Sequence, residues 1–196
     1  MSRILVCPTG HAEAVARGWN PSHIVGFAAP APPSRHGNRL LPTSIFFGAP
    51  AGTNRLASRG EGEAEAAELR LVFNDIAEPQ AGLVAPSRAD IAALLAFGAG
   101  WDGAHPFLVH CSMGISRSTA AALILAAAAR PDIPEARLAG ALRAAAPCAT
   151  PNPLMIALAD GLLGRDGRLV AAVRAIGRGA DYRPYRMVSL DLAAIS

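Results

Sequence analysis

The chain has 196 residues, 52% of them hydrophobic and 17% charged, which is enough apolar side chain for one globular core and too much for a disordered chain. All eighteen basic residues are arginine, which excludes a lysine-dependent nucleotide loop and Schiff-base chemistry. The net charge of +3 suits anionic ligands, but no basic stretch is interleaved with aromatics, so nucleic acid is not indicated.

Cys7, Cys111 and Cys148 are an odd, widely spaced set with no Cys-x-x-Cys pair. They suggest neither a zinc site nor a disulfide framework, and they fit a reducing compartment. The longest apolar run, 119–129, is too short to span a bilayer, and no long apolar signal core stands near Met1. The expectation is a cytoplasmic protein without a membrane partner, with residues 1–196 forming one domain.

Ile4 to Cys7 reads as a first buried strand, His11 to Arg17 as a short helix, and His23 to Phe27 as a second strand. Cys7 reads as a core cysteine. His11 and His23 read as local hydrogen-bonding residues rather than metal ligands. The Pro- and Arg-rich 30–42 segment reads as loop, Ser44 to Phe47 as a short strand, and 48–62 again as loop. Glu61, Glu63, Glu65 and Glu68 are expected on the solvated face of a short helix. Leu69 to Phe73 reads as a strand that runs into Asn74-Asp75. Ser87 to Ala99 reads as a helix whose first turn is a capping box of Ser87 and Asp90.

Phe107 to Val109 is an apolar strand that runs on to Cys111, and Arg117 follows after five intervening residues. Ser118 and Thr119 then open an Ala-rich helix reaching Arg130. Strand, tight loop and helix N-terminus together make an anion site. Loop N–H groups lack partners, and the helix dipole adds positive potential. Gly114 lets the loop curl so that those N–H groups converge. A cysteine at the base of such a cradle is favoured as the thiolate. An arginine at its lip can grip a phosphate with two parallel bonds.

The string His110-Cys111-Ser112-Met113-Gly114-Ile115-Ser116-Arg117-Ser118 resembles the signature loop of the cysteine-dependent protein tyrosine phosphatases, most closely the compact dual-specificity type. Cys7 does not carry a second such loop. The low-molecular-weight phosphatases place theirs after the first strand, but the position that needs arginine is Glu13 here. The resemblance covers about 69–163, and 178–196 reads as a tail whose Tyr182 and Tyr185 either pack on the body or accept phosphate.

The resemblance implies an α/β fold, a central mostly parallel sheet of about four to five strands flanked by helices, with the signature loop between strand and helix. It implies that Cys111 is the nucleophile and that Arg117 and the backbone of Ser112, Met113, Gly114, Ile115 and Ser116 bind the phosphate. Ser118 donates to the thiolate, and His110 orients the loop through its ring N–H. Asp75, 36 positions before Cys111, is the expected general acid, with Glu78 as runner-up. No metal or cofactor is implied. The expected substrate is a phosphorylated protein, chiefly at tyrosine, or a small aryl phosphate, since loop lysines of the phosphoinositide type are absent. Two other readings are a phosphate-binding pseudoenzyme acting as an interaction module, and a rhodanese- or arsenate-type cysteine-loop enzyme.

After the signature helix, Pro134 to Ala146 reads as a helix with proline in its first turn. Asn152 is expected to cap a further helix begun by Pro153 and closed by Gly164, and also to steady the phosphate loop. Arg168 to Ile176 reads as the last helix.

Overall fold

A computed structural model describes residues 2–31 and 66–195. Five strands form one sheet, in the order β3-β2-β4-β1-β5. They are β1 (Arg3–Pro8), β2 (His23–Ala28), β3 (Ala67–Val72), β4 (Phe107–Cys111) and β5 (Val188–Asp191). The first four run parallel, and β5 pairs antiparallel with β1 at one edge. The helices are α1 (Ala12–Trp19), α2 (Arg88–Gly98), α3 (Arg117–Ala129), α4 (Glu135–Ala145), α5 (Pro153–Leu162) and α6 (Arg168–Ile176). The α/β fold expected from the sequence is therefore the fold observed.

The central strands read as unbroken apolar runs because both of their faces are covered. Ile4, Val6, Phe107 and Val109 point to the larger core, shared with α2 through α6, whereas Leu5, Cys7 and Leu108 point to a smaller one beneath α1. Helix α3 lies at the centre of the larger layer and is buried from Arg117 to Ala127. A helix apolar on all sides has to be enclosed on all sides. Its alanines, Ala120 to Ala122, Ala126 and Ala127, let sheet and helices approach it closely. The first turn of α3 is therefore held at the C-terminal end of β4.

Several expectations need correction. Glu68 belongs to the edge strand β3, not to a helix, while Glu61, Glu63 and Glu65 lie outside the described residues. The strand expected at Ser44 to Phe47, the loop at 48–62 and nearly all of that at 30–42 also lie outside them. Pro134 is the N-cap of α4 rather than a residue of its first turn. The tail contributes the strand β5, which the sequence reading did not foresee. Among the described residues no helix is long and apolar enough to cross a membrane.

Candidate functional site

Strand β4 delivers Cys111 to the sheet end and α3 begins at Arg117, so residues 112–116 must turn sharply between them. Gly114 makes that turn with φ +74°, a conformation side-chain-bearing residues rarely adopt. A Cβ there would also sit 3.0 Å from the Cys7 carbonyl carbon and the Pro8 nitrogen.

The loop's carbonyls are held from outside. Gly114 O accepts the Tyr185 hydroxyl at 2.5 Å. Ile115 O accepts Thr150 N at 3.0 Å and also the Thr119 hydroxyl. Ser116 O accepts Ala120 N at 2.9 Å, Asn152 N at 3.4 Å and the Thr119 hydroxyl at 3.0 Å. A peptide unit is planar with N–H and C=O on opposite sides, so carbonyls turned outward turn the following N–H groups inward. Among the described residues none of the N–H groups from Ser112 to Ser116 donates to a protein acceptor. Such a ring of free donors at a helix N-terminus is an oxyanion cradle.

Cys111 is 3% exposed at the base of the loop, and its Sγ lies 3.1 Å from Ser118 Oγ in the first turn of α3. Arg117 is also buried, and its guanidinium reaches back across the loop. Nη1 donates to Phe73 O at 2.8 Å and so anchors the group to the end of β3. Nη2 makes one long contact, 3.4 Å, with Ser112 Oγ. Nε is buried without a hydrogen-bond partner among the described residues, and its nearest carboxylate is Asp75 Oδ2 at 3.9 Å. The Nε–Nη2 edge is therefore the fork left for a planar, two-bond grip on an anion.

Asp75 follows β3 on a loop that Asn74 closes. Asn74 N donates to Val84 O at 2.7 Å, and Asn74 Oδ1 accepts Val84 N at 2.8 Å. The Asp75 carboxylate reaches the cradle, where Oδ1 accepts Ser116 Oγ at 2.7 Å and Asn152 Nδ2 at 2.8 Å. Glu78, the runner-up acid, is exposed and makes none of these contacts among the described residues. Asn152 is 2% exposed and does three things. Its Oδ1 caps α5 through Leu154 N and Met155 N, its Nδ2 donates to Asp75 and to Ile76 O, and its own N–H donates to Ser116 O.

His110 is not where the sequence reading put it. Successive strand side chains face opposite ways, so the residue next to Cys111 must point to the α1 face. There its Nδ1 pairs with Thr9 Oγ1 at 3.1 Å, and the ring lies over Gly26, where a Cβ would come within 2.8 Å of it. His110 thus ties β4 to the turn after β1 rather than bonding the 112–116 loop. Burial first, and the Arg70 charge second, hold its pKa below the ordinary imidazole value. Cys7 is fully buried, as expected, and burial followed by the nearby Cys111 pushes its thiol up to about 12.

The structure thus brings together Cys111, Ser112, Met113, Gly114, Ile115, Ser116, Arg117, Ser118 and Asp75. Asn152 stands beside them as expected, capping α5 and bonding the loop through Ser116 O, while Thr150, Thr119 and Tyr185 are additions and His110 lies on the other face of the sheet. Compared with known protein families, with curated proteins and with solved structures, the chain matches none.

Proposed function

We propose that the chain is a cysteine-dependent phosphatase that hydrolyses phosphate monoesters, protein phosphotyrosine or small aryl phosphates, through a phosphocysteine intermediate. The observation that carries this reading is the joint placement of a buried thiol, a ring of free N–H groups, the free edge of a buried guanidinium and a carboxylate at one strand-to-helix turn. A binding module would need the cradle and the arginine. It would not need a thiol 3.1 Å from a hydroxyl, nor a carboxylate facing the same anion site.

In the first step the Cys111 thiolate attacks phosphorus in line with the departing oxygen. An S–P bond forms as the P–O bond breaks, and Asp75 gives its proton to the leaving oxygen. Oδ1 of Asp75 already accepts two donors, so Oδ2 is the oxygen that carries the proton. The inward N–H groups and the Arg117 fork bear the charge on the three non-bridging oxygens. In the second step Asp75 takes a proton from water, whose oxygen attacks phosphorus as the S–P bond breaks. The Ser118 hydroxyl then stabilises the sulfur that leaves as a thiolate. Exposed Met113 gives the mouth an apolar surface suited to an aromatic ring. The required thiol chemistry carries with it a reducing, cytoplasmic setting.

The test is hydrolysis of an aryl phosphate and of a phosphotyrosine peptide by wild type and by Cys111→Ser, with phosphate binding measured on both. The expected result is turnover only in wild type, with phosphate bound by both. Turnover in the serine variant, or phosphate bound by both with no turnover in either, would overturn the reading.

A further inference from the structure

Tyr185 lies in the segment between α6 and β5, far from the signature loop in sequence, yet its hydroxyl is hydrogen-bonded to that loop. The segment is fixed at both ends. Ala180 N donates to Pro147 O at 2.9 Å and Gly179 N to Thr150 Oγ1 at 3.3 Å. Arg143 ties the same two stretches together, donating to Pro147 O and Ala149 O through one nitrogen and to Ile176 O and Gly177 O through the other. Downstream, Val188 to Asp191 pair with β1. Half-buried Tyr185 sits between these anchors, and its hydroxyl occupies the place into which a Cβ on Gly114 would project.

The carbonyl it touches belongs to the Gly114–Ile115 peptide unit. Turning the Gly114–Ile115 unit over rotates ψ of Gly114 and φ of Ile115, and the glycine, having no Cβ, sets little limit on the first. A flip would bring the Gly114 carbonyl toward a bound phosphate and carry the Ile115 N–H away from it. The next two carbonyls are held by the α4–α5 connection and the first turn of α3, whereas among the described residues Gly114 O is held by Tyr185 alone. We infer that Tyr185 is a positioning residue, which holds the Gly114 carbonyl outward and so aims the Ile115 N–H into the anion cradle. This rests on the reading of the loop as a phosphate site. Burial first, then the neighbouring cysteines with Cys148 foremost, raise the phenol above its ordinary value, so the hydroxyl stays a donor at neutral pH.

Tyr185→Phe removes the donor and keeps the ring in place. Calorimetry with inorganic phosphate should show affinity about three- to tenfold weaker, the range for one lost hydrogen bond. In amide proton–nitrogen spectra, the phosphate-induced displacement of the Ile115 signal should shrink while that of Ser118 persists. Equal phosphate affinity with an unchanged Ile115 displacement would overturn the inference, even if the variant melted at a lower temperature. A wild type that binds phosphate but hydrolyses no monoester defeats the hydrolase reading and leaves the Tyr185 comparison intact. A wild type that turns over, matched in every respect by Tyr185→Phe, defeats the Tyr185 inference alone. Absence of phosphate binding in wild type defeats both.

Discussion

Asn152 Nδ2 lies 2.8 Å from Asp75 Oδ1, a contact that spans 77 positions of the chain. The same side chain caps α5, so the carboxylate is held by a residue whose own orientation is locked by a helix N-terminus. Ser116 completes the arrangement from the loop side, at 2.7 Å from the same oxygen. The proposed acid is thereby joined to the loop that would hold the phosphate and to the helix behind it. A charge-assisted bond of this kind is roughly twice as strong as a neutral one.

The two jobs of Asn152 can be separated. Asn152→Ser keeps a hydroxyl that can cap α5 but removes the amide donor to Asp75. Asn152→Ala removes the cap as well. Both variants lose the amide's bonds to Asp75 and Ile76 O, so Asn152→Ser should be the more stable of the two by about 1 kcal/mol, the worth of the cap it keeps. Both variants should lose roughly tenfold in hydrolysis of substrates with poor leaving groups, since one charge-assisted bond to the acid is gone. Denaturant midpoints and rates on two substrates check this. If Asn152→Ser hydrolysed at the wild-type rate, the Asp75 contact would have no part in turnover.

Cys7 and Cys111 are both buried, but they face opposite sides of the sheet. With its thiol raised to about 12, Cys7 is protonated at every working pH. Iodoacetamide at pH 8 should therefore leave Cys7 unlabelled in the folded protein and label it in urea. Peptide mass mapping reads this directly. Native labelling of Cys7 as fast as that of Cys111 would contradict both its burial and its raised pKa.

What the sequence disclosed was what is contiguous in it. The anion cradle was legible because strand end, turn glycine, arginine and helix start lie within a dozen residues, and their spacing is itself the geometry. The capping box of Ser87 and Asp90 was legible for the same reason, and the structure has both of its bonds. Tyr185 escaped because nothing local marks a tyrosine that meets a carbonyl 71 positions away. Strand β5 escaped because four residues are too few for alternation to stand out. Glu68 was misread because it was grouped with the acidic run before it, whereas with Arg70 it keeps the two-residue period of an exposed edge strand. His110 was misplaced because adjacency to Cys111 suggested a shared role, whereas strand geometry sends neighbouring side chains apart.

His110 gives a pH prediction with a definite sign. Its folded pKa is depressed, chiefly by burial, below the unfolded value near 6.5. As pH falls through that value the unfolded chain takes up a proton the folded chain does not, so stability is lost toward acid. Above it neither state is protonated and the group contributes nothing. His23, also depressed by burial although Asp102 opposes the shift, acts with the same sign. His110→Gln should keep a hydrogen bond to Thr9 and remove one titration. Its urea midpoint should fall less than that of wild type between pH 7.5 and 5.5. Parallel falls would mean that the His110 ring titrates alike in both states.

Asp75→Asn tests the proposed acid. The amide is close in size and can still accept Ser116 Oγ through its carbonyl oxygen, but it has no proton to give at a useful pKa. Loss of a positioned general acid costs about a hundredfold or more. That cost should depend on the leaving group. A nitrophenolate departs without protonation, so its ester should lose least, whereas tyrosine phosphate and alkyl phosphates should lose most. A plot of rate against leaving-group acidity should therefore be steeper for the variant than for wild type. Phosphate binding should be retained, because the cradle and the Arg117 fork are untouched and the carboxylate charge 3.9 Å from Arg117 is removed. Parallel plots, with the variant uniformly slower, would take the proton transfer away from Asp75. The roles proposed for Cys111 and Arg117 would stand, because they rest on the turn between β4 and α3 and not on the Asp75 loop.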